Sequence, residues 1–254
     1  MHPHVHIPFD RIQEHIDFIV INSLNLEIYF SSSTLDTVSD KSIFAVREML
    51  EHNPSLSIHA PFMDLSPGAV DAKVREATIN RFSQVLDISE ILKPKTLVFH
   101  SGYEKWKYAL NIDLWLEQSL KTWQPLNKSA AAIGVKIAIE NIFEEEPTNL
   151  KMLMDAMNSD NFGVCFDTGH FNIFSKAPLK KWMSDLKPYI IELHLHDNDR
   201  TSDQHLPVSG GNFDFKGFFE LLGDKNCIFT LEAHSPESVL KSIKSLQMLT
   251  PKNA

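Results

Sequence analysis

The stretch "IAIENIFEEEPTNL" (137–150) carries an apolar run into a carboxylate, Glu140, then into an asparagine and three more glutamates. A carboxylate ending a buried strand is costly unless an Arg, a Lys or a metal ion meets it. The arrangement recurs along the chain. "LSIHAPF" reaches His59, "TLVFHSG" His100, "FGVCFDTGH" Asp167 and His170, "IIELHLHDN" His194, His196 and Asp197, and "IFTLEAH" Glu232. A lone histidine in such a place is ordinarily a half-buried structural residue. Several acids and imidazoles on one rim are different, because unpaired carboxylates packed together repel and raise one another's pKa. Almost no Arg or Lys stands at these ends. A divalent cation is the economical partner. Imidazole nitrogen and carboxylate oxygen suit Zn, Mn, Co or Fe, and an oxygen-rich site leans toward Mn or Mg.

These residues share a rim only if the elements carrying them form a ring. Two further apolar runs, "HVHIPF" and "LNLEIYF", precede the others, and with "VKIAIEN" they make eight. Stretches of helical periodicity separate them. Over 70–92, Val74, Ala77, Ile79, Phe82, Val85, Leu86 and Ile88 trace an apolar stripe, and 110–133 and 237–248 read the same way. Asp71, Ser66-Pro67, Pro147-Thr148 and Ser235-Pro236 are helix-start signals. Eightfold strand–helix alternation predicts one (β/α)8 TIM barrel over 1–254, with every strand's C-terminal end at one mouth. A doubly wound open sheet needs a Gly-rich loop after its first strand. The first strand here runs into "PFDRIQEH", which has no glycine.

The totals agree with a globular domain: 254 residues, 43% hydrophobic and 22% charged. A formal charge of -9 argues against a general polyanion binder, so nucleic acid is not an expected partner. Cys165 and Cys227 sit in the apolar runs "GVCFD" and "NCIFT", which points to packing in a reducing compartment rather than a disulfide framework. The opening "MHPHVHIPFD" has neither the basic nor the apolar region of a signal peptide. No apolar stretch approaches the roughly 20 residues of a membrane span. A cytoplasmic protein is expected.

Taken together, "SIHAPF", "VFHSGY", "AIENIF", "VCFDTGHFN", "ELHLHDND" and "HLPVSGGNFDF" resemble the xylose isomerase-like barrels. That family includes sugar phosphate isomerases and epimerases as well as endonuclease IV, of AP endonuclease family 2. The resemblance extends from "LEIYF" to "FTLEAH". It implies a central metal held by Glu140, Asp167, His194 and Glu232. The additional ligands of the endonuclease branch, which holds three metals, are matched by His59, His100, His170, Asp203 and His205. One to three divalent ions, Zn, Mn or Co, are therefore expected. Two segments depart from the pattern. "NIFEEEPTNL" replaces the small, Gly-rich segment after the endonuclease's fifth-strand Glu, and Ser209 stands where a Gly is common, with Gly211 retained.

The resemblance implies first a metal-dependent isomerase or epimerase of a small sugar, sugar phosphate or cyclitol, which moves a proton beside a carbonyl through a metal-stabilised enediolate. Related epimerases set two metal-bound glutamates across the substrate, so Glu140 and Glu232 are the expected acid/base pair. Phe62, Tyr103, Phe143 and Phe171 follow the ligands closely and are expected pocket walls. The alternative is a phosphodiesterase of endonuclease IV type, acting on abasic-site DNA or a smaller phosphodiester. The extra histidines and Asp203-x-His205 favour it. Three glutamates of "FEEEP", expected at the rim, oppose it, and Lys105, Lys107, Lys176 and Arg200 suffice for one phosphate rather than a DNA groove. A third reading takes His2, His4 and His6, which alternate on one strand face, as resembling the HxH opening of amidohydrolases and related phosphoesterases. The intact ligand set speaks against a non-catalytic barrel.

Overall fold

Polar or small residues alternate with apolar ones along most of the eight strands. These are β1 (His4–Pro8), β2 (Asn25–Tyr29), β3 (Leu56–His59), β4 (Thr96–His100), β5 (Lys136–Glu140), β6 (Phe162–Asp167), β7 (Ile190–Leu195) and β8 (Ile228–Leu231). Alternation sends the two sets to opposite faces of a strand. In the computed structural model, which describes residues 2–249, the strands pair in parallel and in chain order, and β8 returns to β1 to close a barrel. The expected TIM barrel is the observed fold.

The apolar set points outward. Val5, Leu26, Ile28, Phe99, Ile139, Phe166 and Leu193 belong to one continuous core beneath the helices. Those helices are α1 (Ile12–Ile21), α2 (Ser32–Thr37), α3 (Asp40–Met49), α4 (Ala72–Leu92), α5 (Ile112–Ala132), α6 (Thr148–Met157), α7 (Thr168–Phe174), α8 (Leu179–Leu186), α9 (Phe215–Leu222) and α10 (Pro236–Leu249). Two expected starts are trimmed by caps. Asp71 accepts from the Lys73 amide at 2.8 Å, so α4 begins at Ala72 rather than Val70, and Asn111 does the same for α5. Cys165 is buried as expected; Cys227 is only partly so. Among the described residues no helix is long and apolar enough to cross a membrane.

The polar set fills the barrel. His4 spends both ring nitrogens near its base, on Ser57 Oγ at 2.9 Å and Ser55 Oγ at 3.1 Å. The hydroxyls of Thr96 and Thr230 donate to the carboxyl of Glu192. Val98, Ala138 and Cys165 make a small apolar patch of their own. Barrel interiors are usually layered with branched aliphatics; this one is hydrogen-bonded.

A bulge sets the inner face of β7. Val164 pairs with Ile190, but Cys165 pairs with Glu192, so Ile191 is an extra residue. Gly163 permits this, since a Cβ there would lie 2.5 Å from the Tyr189 carbonyl oxygen. Beyond the bulge, Glu192 and His194 stand level with Cys165 and Asp167.

Candidate active site

Glu140, Asp167 and His194 come from adjacent strands that the ladder holds in register, and Glu232 follows β8 directly. His194 Nδ1 lies 3.4 Å from Glu140 Oε1, 3.2 Å from Glu232 Oε1 and 3.7 Å from Asp167 Oδ2. All four residues are buried, and Nδ1 has no hydrogen-bond partner among the described residues. The other ring nitrogen, Nε2, is 3.1 Å from Oε2 of Glu27, itself fully buried. Burial pushes Glu27 up, but the charge of His194 and hydrogen bonds from His194 and His6 outweigh it and hold the carboxyl well below its usual range. An ionised Glu27 only accepts, so Nε2 is the donor. That leaves Nδ1 among three carboxylates with a lone pair they would repel, or a proton none of them accepts in good geometry. One imidazole nitrogen and three carboxylate oxygens around a buried point fit a divalent cation. Burial opposes charge on His194, yet Cys165 and the carboxylates of Glu27, Glu232 and Glu140 around it raise its pKa well above the ordinary value.

The other expected residues gather around these four. His59 Nε2 and His100 Nε2 approach Glu140 Oε2 at 3.1 and 3.3 Å, and His170 Nδ1 approaches Oε1 at 3.0 Å. Asp203 bridges His170 Nε2 (3.4 Å) and His205 Nε2 (3.0 Å), and His205 Nδ1 lies 3.6 Å from Glu232 Oε2. Among the sets whose ligand atoms lie within 4.8 Å of one another are His59, Glu140, His194; Asp167, His170, His196; and His196, Asp203, His205. Burial works against protonation of His59, His170 and His205, but the carboxylates prevail and raise all three. At His100 burial prevails and the pKa falls.

Sequence reasoning placed His196 on the rim without giving it a role, took His6 only as part of the HxH reading, and passed over Glu27. His196 Nε2 sits 3.1 and 3.0 Å from the two oxygens of Asp167, and its ring stacks on His205 with centroids 4.1 Å apart. Its close seat against α7 exists because residue 169 is glycine; a Cβ there would fall 2.0 Å from His196 Cε1. His6 Nδ1 lies 2.9 Å from Glu27 Oε1 and 3.4 Å from Glu232 Oε1. The signal was two-residue spacing: "HLH" puts His194 and His196 on one face, and in "NLEIY" the acid sits between two outward apolar residues. Asp197, grouped with the strand-end residues, instead accepts from the amides of Asn198, Gly211 and Phe213 and pins the following loop. In that loop Ser209 takes the left-handed backbone (φ 66°) that a glycine would occupy freely.

A cavity of about 640 Å³ opens above the cluster, within the size range of small-ligand sites. Phe62, stacked on His100 at 4.2 Å, lines it together with Tyr103 and Phe143. Phe171 does not. It packs behind β6 against Phe166, Trp182 and Phe213, because on α7 it follows His170 by one residue and faces away. Phe174, four residues after His170, takes the wall position. "FEEEP" also differs from expectation. Glu144 is buried and accepts from Ser101 Oγ, the Ile142 amide and Asn149; Glu145 is neutralised by Lys105 and Lys176; only Glu146 is exposed. The three histidines of "HPHVHIP" part company as well: His2 precedes β1 and is exposed, His4 is bonded to serines, and His6 alone reaches the mouth.

The xylose isomerase-like TIM barrel model of the AP endonuclease 2 family matches residues 25–251, and the chain belongs to that family. It is 27% identical over 192 residues to a "Probable endonuclease 4" from Mycoplasma capricolum, covering 67% of this chain and 64% of that protein. The chain spans 54% to 81% of the length of the curated relatives it matches. Among solved structures it resembles the TTHB071 protein from Thermus thermophilus, soaked with ZnCl2, at a TM-score of 0.83 and 24% identity over 100% of both chains. A "D-tagatose 3-epimerase-like protein" superposes at 0.81 with 22% identity over 97% of this chain and 96% of its own.

Proposed function

We propose that this barrel is a metal-dependent isomerase or epimerase of a small sugar, sugar phosphate or cyclitol, with Glu140 and Glu232 as the proton-transferring carboxylates. The observation that carries the reading is the buried His194 Nδ1, which faces three carboxylates and has no hydrogen-bond partner among the described residues. Glu140, Asp167, His194 and Glu232 would hold the metal, which when bound polarises a carbonyl and adjacent hydroxyl. Glu140 and Glu232 come from non-adjacent strands, and both reach His194 Nδ1. Each has its own imidazoles: His59, His100 and His170 for Glu140, and His6, His196 and His205 for Glu232. One carboxylate takes the proton from the carbon beside the carbonyl, and the electron pair moves onto the carbonyl oxygen. Return of a proton to the same carbon from the other carboxylate inverts it; return to the former carbonyl carbon, with the neighbouring hydroxyl's proton passing to the former carbonyl oxygen, isomerises the sugar. Phe62 and Tyr103 offer apolar faces to the C–H side of a sugar ring.

Incubation in deuterated water with ketoses, aldoses, their phosphates and cyclitol ketones tests this, with an abasic-site duplex run in parallel. The expected outcome is metal-dependent deuterium uptake beside a carbonyl, reduced at least about a hundredfold in Glu140→Gln and in Glu232→Gln. Strand cleavage without exchange would replace this reading with the phosphodiesterase. One observation favours that second reading: His170, His196, Asp203 and His205 form sets with ligand spacing beside the central four. The rim supports it poorly, since Lys105 and Lys176 are both paired with Glu145.

A further inference from the structure

The inner end of the cavity is carpeted with carboxylates and imidazoles. Its outer end is built from the loops after β3, β4 and β5, and among the described residues one Lys or Arg lines it, Lys107. The other rim cations are committed elsewhere: Lys105 and Lys176 to Glu145, and Arg200 Nε to Asn172 Oδ1 at 3.0 Å. Lys107 has no carboxylate within 4.0 Å of Nζ among the described residues. Its Nζ donates to Ser66 Oγ at 3.0 Å and lies 5.9 Å from the centre of the Tyr108 ring.

That mount is fixed. Ser66 is 3% exposed, its amide donates to Thr78 Oγ1 at 3.0 Å, and its hydroxyl meets Tyr108 Oη at 3.3 Å. The two loops are locked together where Gly102 meets Pro67; a Cβ on Gly102 would lie 2.7 Å from the proline ring. One of the three ammonium protons goes to Ser66, and two remain for a ligand. Asp64 and Glu104 also line this end, yet neither pairs with the lysine. Lys107 itself is exposed at this end, so both protons are open to an anionic group on a ligand filling the cavity.

We propose that Lys107 forms an anion subsite, so that the substrate is a sugar derivative bearing a phosphate or carboxylate at the end remote from its reacting carbonyl. This rests on the isomerase or epimerase reading of the inner end. On the proposed reading the reacting carbonyl sits at the inner end beside Glu140 and Glu232, so an anionic group at the substrate's other end falls toward Lys107, which fixes which way round the substrate lies. Lysine meets such a group as a point charge, through charge-assisted hydrogen bonds.

Isothermal titration of the metal-loaded protein with matched pairs tests the subsite without turnover. The pairs are pentuloses and hexuloses with and without a terminal phosphate, and aldoses with their uronic acids; the two arms distinguish phosphate from carboxylate. In at least one pair the anionic member is expected to bind about tenfold tighter. Lys107→Met should abolish that preference and leave the neutral sugar within about twofold, and Lys107→Arg should retain most of it. Equal binding within every pair, or a preference that survives Lys107→Met, overturns the proposal. Deuterium exchange reports the inner end separately. Exchange without anion preference sinks the subsite alone, whereas anion preference without exchange sinks the isomerase reading and leaves the subsite standing.

Discussion

Glu27 does for His194 what no residue at the mouth can do: it fixes which ring nitrogen carries the proton. A metal-ligating imidazole ordinarily donates its far N–H to a carboxylate, which orients the ring and strengthens the near nitrogen as a donor. The 3.1 Å contact between His194 Nε2 and Glu27 Oε2 has that form, and His6 holds the other carboxylate oxygen at 2.9 Å. Glu27→Gln keeps the shape and removes the charge. Metal affinity, measured by competition against a chromophoric chelator, is expected to drop about tenfold or more with the circular dichroism unchanged. Wild-type affinity in that variant would mean that Glu27 only packs the barrel.

At the scale of elements, α7 and the loop after β7 decide where the outer imidazoles stand. Asp167 caps α7 by accepting from the His170 amide at 2.6 Å, so one carboxylate both starts the helix and faces His194. The helix then presents Gly169 to His196 and His170 to Glu140. Gly169→Ala puts a methyl into the His196 ring, which must leave Asp167 and its stack on His205. The expected result is at least a tenfold loss of exchange activity or of metal affinity, with the melting temperature lowered by only a few degrees. Wild-type activity and metal content in this variant would show that the position of His196 is immaterial to the site.

The whole molecule inverts the usual barrel by keeping its apolar mass outside and an ionisable column within. Burial pushes Glu192 up to about 7, reinforced by the charge of Glu27 and opposed by His194, Thr96 and Thr230. The top of the column relies on protons or on metal. His59, His170, His194 and His205 have raised pKa values without metal, so they favour the folded state most below their unfolded value. That contribution is lost as pH rises through the folded values. Metal binding must displace those protons, so affinity grows over the same interval. Chelation should therefore lower the melting temperature, and more at about pH 8 than at about pH 6. At free metal about 1,000 times Kd the difference amounts to about 4 kcal/mol, or roughly 10 °C in a chain this size. Scanning calorimetry with and without chelator measures it; a gap that narrows with pH would contradict the proton competition.

Much of this was legible along the chain. Eight apolar runs give the barrel, because period-two alternation and intervening helical stripes leave few other closed arrangements. Glu140, Asp167, His194 and Glu232 were legible as strand-end residues whose charges need a partner. Phe171 and Phe174 were not separable, since which helix face meets the cavity depends on where Asp167 starts α7. Glu27 reads in sequence as an acid inside an apolar run, and only closure of β2 against the far side of the barrel brings it to His194. Glu144 and Glu146 are the same residue type two positions apart. The folded loop buries one on Ser101 and Asn149 and leaves the other in solvent, and spacing along the chain does not encode that difference. Local pattern sets which face a side chain takes on its own element; which charges end within hydrogen-bonding distance is decided across 81 residues for His59 and Glu140 and 167 for Glu27 and His194, by the closing of the sheet.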